Sequence, residues 1–199
     1  MRLKIFSLLL GSTLFLVIIL MVVLSIHTSN KSNKIFGNTT YYFDNVFFTR
    51  QRVAAKLVDG EYRDSFLRVS YENKYAYGDF NHDGLKDAAV IISENTGGNQ
   101  DWYVLIFLIN DGKQLVHRFS IDLDDRAIIN SIREKNGGVF IDMYVHSPGD
   151  SMGGPTKRVK NIYQYVPNDD GLSLTSGHPG GVTEKPSRDF ERNGYHNSP

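Results

Sequence analysis

The feature that most constrains this chain is an uninterrupted apolar stretch near its N-terminus. Residues 5–26 carry no charged side chain and consist mainly of leucine, isoleucine, valine and phenylalanine. A helix of this length spans roughly 33 Å at about 1.5 Å per residue, close to the hydrocarbon core of a bilayer, which is about 30 Å thick. We therefore predict a transmembrane signal anchor over 5–26, preceded by a cytoplasmic tail at 1–4.

Two alternatives for this stretch are a cleaved signal peptide and a buried core helix. A cleaved signal has an apolar region of about 7–15 residues and an A-x-A-like site, whereas this stretch is longer and ends in Leu-Ser-Ile-His at 24–27. Arg2 and Lys4 favour a cytoplasmic N-terminus, although Lys31 and Lys34 follow the stretch. We expect a single-pass protein of the cytoplasmic membrane with its C-terminal domain outside, periplasmic or extracellular, with cleaved secretion as the alternative.

Charge and cysteine content exclude several classes of function. The 199 residues include 22 Lys+Arg and 22 Asp+Glu, so the formal net charge is zero. Arg2 and Lys4 are the only charged residues before position 27, which leaves 20 basic and 22 acidic side chains beyond it. Nucleic-acid-binding domains carry a strong basic excess, so no nucleic-acid partner is expected. The absence of cysteine excludes disulfides, Cys-ligated zinc and thiol catalysis.

Beyond the apolar stretch, the hydrophobic pattern has the period of β-strands. Residues 139–145 alternate between apolar positions and polar or aromatic ones, as in a strand with one buried face. The continuous apolar runs 88–92 and 104–109 are typical of central strands covered on both faces. We predict a mainly β fold, an antiparallel β-sheet domain behind the N-terminal transmembrane helix, with 50–58 as the one segment suited to a short helix.

Turn residues and composition set the predicted boundaries. Asp-Gly and Asn-Gly pairs favour tight hairpins, and they occur at 59–60, 111–112, 136–137 and 170–171. The polar segment 27–39 is predicted to be a flexible linker, and 40–174 the β-rich domain. The remainder, 175–199, is rich in glycine and proline and poor in apolar residues, so we predict that it is disordered.

The most distinctive motif is the segment 79–87, which reads Asp-Phe-Asn-His-Asp-Gly-Leu-Lys-Asp. A hard cation such as Ca²⁺ takes about 6–8 oxygen ligands at about 2.3–2.6 Å, so the chain must curl around it. Side-chain oxygens at alternate positions supply such ligands, and Gly84 permits the sharp turn. We predict that the segment binds one Ca²⁺ ion through four side chains and one backbone carbonyl, those of Asp79, Asn81, Asp83, Asp87 and Leu85.

Other interpretations of this loop remain open. It is not a complete EF-hand, because Val90 stands where a bidentate glutamate belongs. Mg²⁺ is an alternative ion, although it prefers to keep its own waters in a strict octahedron. An Asx-rich turn without any metal is the other alternative.

The segment 78–90 resembles the calcium loop of FG-GAP and VCBS repeats, which occur in β-propeller proteins including integrin heads. The resemblance implies the same five ligands. No second copy of the loop is found in the sequence, whereas a propeller needs several, so propeller-type adhesion is not expected.

A wider resemblance covers about 40–170. It is to small exported bacterial proteins that carry one such loop, then a Gly-Gly turn with an aromatic strand (here 97–103) and a Gly-Asp-x-Met…Pro-Thr segment (here 149–156). This resemblance implies no particular activity.

A second motif suggests hydrolysis. Residues 149–155 read Gly-Asp-Ser-Met-Gly-Gly-Pro, which is similar to the Gly-Asp-Ser-Gly-Gly-Pro around the nucleophile of trypsin-like proteases. Met152 interrupts the backbone that forms the oxyanion hole in those enzymes. Nothing in the sequence brings His117 or His146 to Ser151.

Two functions from different classes follow. The first is a membrane-anchored, exported calcium-binding β domain with a structural or binding role. Its membrane contact is the span 5–26, and its partner is an envelope or extracellular protein or glycan. The alternative is a cell-envelope hydrolase, either metal-assisted or based on Ser151. We favour the first, because the sequence places no base beside that serine.

Overall fold

The protein, described here by a computed structural model over residues 2–45, 51–151, 154–166 and 171–176, is one helix followed by antiparallel strands. The elements are α1 (Arg2–Phe36), β1 (Thr40–Asn45), β2 (Gln51–Lys56), β3 (Glu61–Arg63), β4 (Arg68–Gly78), β5 (Asp87–Asn95), β6 (Trp102–Asn110), β7 (Leu115–Asp125), β8 (Ile128–Lys135), β9 (Gly138–Val145), β10 (Lys157–Val166) and β11 (Gly171–Ser176). The predicted mainly β, antiparallel fold behind an N-terminal helix is confirmed.

Helix α1 is long and apolar enough, over Leu14–Phe36, to cross a membrane or to serve as a signal sequence. Its apolar side chains between Leu14 and Ile26 are exposed. A core helix of the domain would bury such side chains. The buried-helix alternative is therefore wrong for this part of the chain.

The predicted flexible linker, 27–39, is instead mostly helical and joins the domain directly. Phe36, the last residue of α1, is fully buried. Its ring lies among the rings of Tyr71, Tyr75 and Tyr77, at centroid distances of 5.3–5.9 Å. The helix end is thus part of the hydrophobic core.

The polar side chains whose composition suggested a linker instead bind the domain. The hydroxyls of Ser32 and Tyr77 are hydrogen-bonded at 3.1 Å. The Tyr71 hydroxyl donates to Oδ1 of Asn33 at 3.2 Å. The hydrogen-bonding groups that a solvated linker would offer to water are used here to seat the helix on β4.

The strands form three sheets. The central sheet has the order β3-β4-β5-β6-β7, a second has the order β11-β10-β9-β8, and β1 pairs with β2. Of the β5 side chains, Val90 and Ile92 join the cluster that contains Phe36, whereas Ile91 joins the cluster of the second sheet. Both faces of β5 are therefore covered, as its continuous apolar run predicted.

The one segment suited to a short helix, 50–58, is a strand over its residues 51–56. Residues 51–56 form β2, which pairs with β1. Ala55 and Leu57 are fully buried while Lys56 is exposed. This alternation is the period of a strand, and pairing with β1 buries the apolar side.

The predicted turns agree with the structure where it describes them. Asn136 and Gly137 adopt φ values of 55° and 74° and join β8 to β9 as a two-residue hairpin. The pairs at 59–60 and 111–112 also lie in turns. Strand β11 extends to Ser176, slightly beyond the predicted domain limit. Residue 170 and the predicted disordered segment from 177 onward lie outside the described residues.

The outer face of the second sheet carries an ion pair. The Arg158 guanidinium donates from Nε to Oδ1 of Asp142 at 2.8 Å and from a terminal nitrogen to Oδ2 at 2.7 Å. This donor pair holds the pKa of Asp142 down at about 2. Because β9 and β10 are neighbours, the pair ties the two strands together.

Replacing Phe36 by alanine should destabilise the domain by about 3–5 kcal/mol, because the substitution leaves a cavity among three tyrosine rings. Denaturant unfolding of the full chain in detergent, followed by near-ultraviolet circular dichroism, measures this loss. Ile35→Ala is the matched control, since Ile35 is 43% exposed, and it should cost less than about 1 kcal/mol. Equal losses in the two variants would contradict the docking of α1 in the core.

The stability of wild type relative to Asp142→Asn should depend on pH. The folded-state pKa of Asp142 lies below its ordinary value of 3.8, so the carboxylate stabilises the fold above about pH 4 and loses this effect as the pH falls towards 2. The melting-temperature difference between the two proteins should therefore be full at pH 7 and shrink between about pH 4 and pH 2. Asp122→Asn, at an exposed position of β7, is the control. The same pH dependence of the melting-temperature difference in both variants would contradict the role of the Asp142 ion pair.

Candidate metal centre

The 79–87 loop connects two neighbouring strands of the central sheet. Gly78, the last residue of β4, pairs with Asp87, the first residue of β5. A Cβ at position 78 would lie 2.6 Å from the Phe80 ring, so glycine lets this ring fold back over the strand end. Phe80 is fully buried and meets Phe107 edge-on at 5.4 Å. An aromatic anchor therefore fixes the start of the loop on the hydrophobic core.

Three of the predicted ligand side chains gather around one backbone amide. The Asp83 N–H donates to Oδ1 of Asp79 at 3.0 Å and to Oδ1 of Asn81 at 3.2 Å. The side-chain amide of Asn81 donates from Nδ2 to Oδ2 of Asp83 at 2.7 Å. Gly84, at φ +85°, turns the chain so that its N–H reaches Oδ2 of Asp79 at 3.0 Å. The loop is curled with its side-chain oxygens on the inside.

The fourth predicted side chain, Asp87, lies beneath the loop. It is fully buried. Its Oδ2 accepts the N–H groups of Phe80 at 2.8 Å and Asn81 at 3.4 Å, and its Oδ1 accepts the N–H of Asn110 at 2.8 Å. Asp87 thus fastens the loop to the ends of β5 and β6, so it has a structural role whether or not an ion is bound.

The remaining loop residues are more peripheral. The Leu85 N–H donates to Oδ1 of Asp83 at 2.7 Å, which places the Leu85 backbone beside the curled segment. Lys86 lies over the Tyr77 ring at 4.3 Å. His82 is exposed and packs over Gly137 of the neighbouring hairpin. Among the described residues neither basic side chain forms a salt bridge with the loop carboxylates.

The charge of the loop is the property that bears most directly on metal binding. Asp79, Asp83 and Asp87 place three carboxylates within nine residues, and among the described residues none of them forms a salt bridge. Backbone N–H groups satisfy hydrogen bonds but supply no net charge. A buried or crowded carboxylate is most stable beside a cation. The loop therefore has an uncompensated negative charge that a divalent ion would neutralise.

The chemistry of these donors fits a hard cation, although the carboxylates do not yet lie close enough together to share one ion. A carboxylate has about four acceptor positions, and Asp79 and Asp83 each use two of them in the bonds described above. However, the three aspartates do not all converge within 4.8 Å; among the described residues, the three side chains that do are Asp124, Asp125 and His146.

The Asp124, Asp125 and His146 group was missed in the sequence. Nδ1 of His146 lies 3.2 Å from a carboxylate oxygen of each aspartate. The acidic run at 122–125 is visible in the sequence, but the histidine arrives from the end of β9. Arg126 already pairs with Asp125 at 2.6 Å, which reduces the attraction of this group for a metal ion.

The groups that a hydrolase would use have other partners. Nε2 of His117 is hydrogen-bonded to Ser120 at 2.7 Å, and its Nδ1 accepts the N–H of Tyr42 at 3.0 Å. His146 faces the two aspartates just described. The Asp150 carboxylate accepts from the Thr156 hydroxyl and from two backbone N–H groups, and these donors lower its pKa. Asp150 therefore closes the loop that contains Ser151.

Comparison of the chain with protein-family models, with curated proteins and with solved structures gives no match.

Proposed function

We propose that this protein is a membrane-anchored, exported β domain that binds one Ca²⁺ ion in the 79–87 loop and has a structural or binding role in the cell envelope. The observation that carries the proposal is the charge of the loop. Three carboxylates share it, one of them fully buried, and among the described residues no cationic side chain pairs with them. A divalent cation supplies the missing charge.

The chemistry of the loop favours Ca²⁺ over other ions. Its donors are all oxygens, those of Asp79, Asn81, Asp83, Asp87 and the Leu85 carbonyl, and oxygen ligands suit hard cations. The donors Asp83 and Leu85 are exposed, whereas Asp87 is buried beneath the curled segment. Ca²⁺ tolerates irregular geometry, whereas Mg²⁺ demands a near-ideal octahedron. Extracellular calcium modules bind with affinities of about 10⁻⁴–10⁻³ M, which is the range we expect for this loop.

The position of the loop favours a structural effect of the ion. The loop joins β4 to β5, and Asp87 connects it to β6 through Asn110. An ion that binds only the folded loop stabilises these three central strands by mass action. Because β4 also receives the end of α1, the stabilised strands are the ones that support the membrane helix.

Calcium should raise the melting temperature of the full chain in detergent by about 5–10 °C when the free ion is about 100-fold above its Kd, which corresponds to about 2.7 kcal/mol. Asp83→Ala should abolish this rise, because Asp83 is an exposed loop donor and not the buried Asp87. Thermal unfolding followed by circular dichroism, with and without chelator, measures both.

The control for the calcium experiment is Asp111→Ala. Asp111 also accepts two backbone N–H groups in an exposed turn. Its substitution therefore removes comparable hydrogen bonds without changing the 79–87 loop. This variant should retain the calcium response. No calcium-induced rise in the wild type, or an equal rise with Mg²⁺, would contradict the proposed site.

The proposed topology is tested separately with the full chain. A phosphatase that is active only outside the cytoplasm, fused after residue 199, should be active, because Arg2 and Lys4 hold the N-terminus inside. Arg2→Glu/Lys4→Glu should lower the phosphatase signal, whereas Lys31→Gln/Lys34→Gln should not. The intact mass of the membrane-bound protein should include residues 1–26. A released, shorter protein would instead indicate a cleaved signal.

A further inference from the structure

The outer face of the second sheet gathers basic side chains. Along β9, Val139 and Ile141 point into the core, so the alternate residue Phe140 points outward. In the sheet register Phe140 lies beside Arg133 of β8, and Asp142 lies beside Lys160 of β10. β8 and β10, which flank β9, thus bring basic residues that are distant in the sequence onto one surface.

Two cations of this surface, Arg133 and Lys135, contact an aromatic ring instead of an acid. The Arg133 guanidinium lies 4.3 Å from the centroid of the Phe140 ring, and Nζ of Lys135 lies 5.6 Å from it. Among the described residues neither side chain, nor that of Lys160, forms a salt bridge. Cation–π contact restrains these side chains but leaves their charge uncompensated.

The acidic side chains nearby do not cancel this charge. Asp142 is already occupied by two donors of Arg158. Glu134 points the other way, since its Cγ lies 3.1 Å from where a Cβ of Gly78 on β4 would be. The described outer face therefore keeps a net positive charge, carried by Arg133, Lys135 and Lys160, although the whole chain is neutral.

The position and shape of the face indicate what kind of partner it fits. It lies on the side of the domain away from α1, because the central sheet separates the second sheet from the core cluster that contains Phe36. Arg133 and Lys135 are two residues apart on β8, about 7 Å along the strand, and Lys160 lies on β10, two strands and about 10 Å from β8. Cations at these spacings on an open sheet suit an extended chain of repeated negative charges.

We propose that the outer face formed by β8, β9 and β10 binds a linear phosphodiester polymer of the cell envelope, built from polyol or sugar units, through Arg133, Lys135 and Lys160. The choice of an envelope polymer rests on the proposed export of the domain. The binding surface itself is independent of the calcium loop, since the two share no residue.

Two other polyanions fit the face less well. Single-stranded nucleic acids bind by stacking their bases on open aromatic rings, whereas the Phe140 ring is covered by Arg133 and Lys135. Anionic lipids of the protein's own membrane meet the domain near the end of α1, which lies on the opposite side of the central sheet. The face therefore offers charge to a polymer backbone and little to a base or a bilayer.

The test is binding of the full chain in neutral detergent to a fluorescently labelled poly(glycerol phosphate), measured by anisotropy at several salt concentrations. Arg133→Gln/Lys135→Gln/Lys160→Gln should weaken binding at least about tenfold at low salt and reduce the slope of log K against log salt by about 2, as expected when three phosphate contacts are lost. Measurements in calcium and in chelator should agree, so failure of the calcium site leaves this result unchanged.

The matched control is Lys56→Gln/Lys113→Gln/Arg118→Gln, which removes the same charges from exposed positions away from the second sheet. It should change the affinity less than about twofold, and both triple variants should melt within a few degrees of wild type. Absence of binding by the wild type, or an equal loss in the control, would overturn the proposal. Tighter binding to single-stranded DNA or to anionic vesicles than to the polymer would overturn it as well.

Discussion

Burial of the central strands on both faces is the constraint on which the rest of this structure depends. β5 and β6 are continuous runs of apolar residues, so they are stable only between two covering layers. The second sheet supplies one cover. The β1–β2 hairpin and the end of α1 supply the other. The junction with the N-terminal helix is therefore part of the fold and not an appendage to it.

The same burial determines the character of the two proposed sites. Asp87 begins β5 and is buried because that strand is buried, so its carboxylate is satisfied by backbone N–H groups of the loop and of β6. The curled loop above it holds two more carboxylates near the surface. On the second sheet, one side of each strand covers the core, and the alternate residues form the basic outer face.

The two sites carry opposite charges, and the zero net charge of the chain conceals both. The loop concentrates negative charge within one short segment of sequence, so it was recognisable from the order of its residues. The cations of the basic face come from β8 and β10, which are well separated in the sequence, and only folding places them side by side. Balanced composition therefore excludes a uniformly basic protein but does not describe how charge is distributed after folding.

Prediction succeeded where the determining interactions are local. Alternation within 139–145 and Asn136-Gly137 specify a strand and a two-residue turn through backbone geometry, and the structure confirms both. The prediction of a flexible linker at 27–39 was wrong. It used only the polar composition of the segment, whereas the hydrogen-bond partners of these residues, Tyr71 and Tyr77, lie far along the chain. Residues 51–56 have a composition that also suits a helix, but pairing with β1 makes them a strand.

By itself the sequence determined the apolar helix, the antiparallel β class, the central strands and the oxygen-rich loop, since each depends on residues close together in the chain. Only the tertiary structure decided that Phe36 enters the core, that Asp87 is buried beneath its loop, and that His146 meets Asp124 and Asp125. The same holds for the cations of β8 and β10 sharing one face. These outcomes depend on which elements pack together, and spacing along one chain does not contain that information.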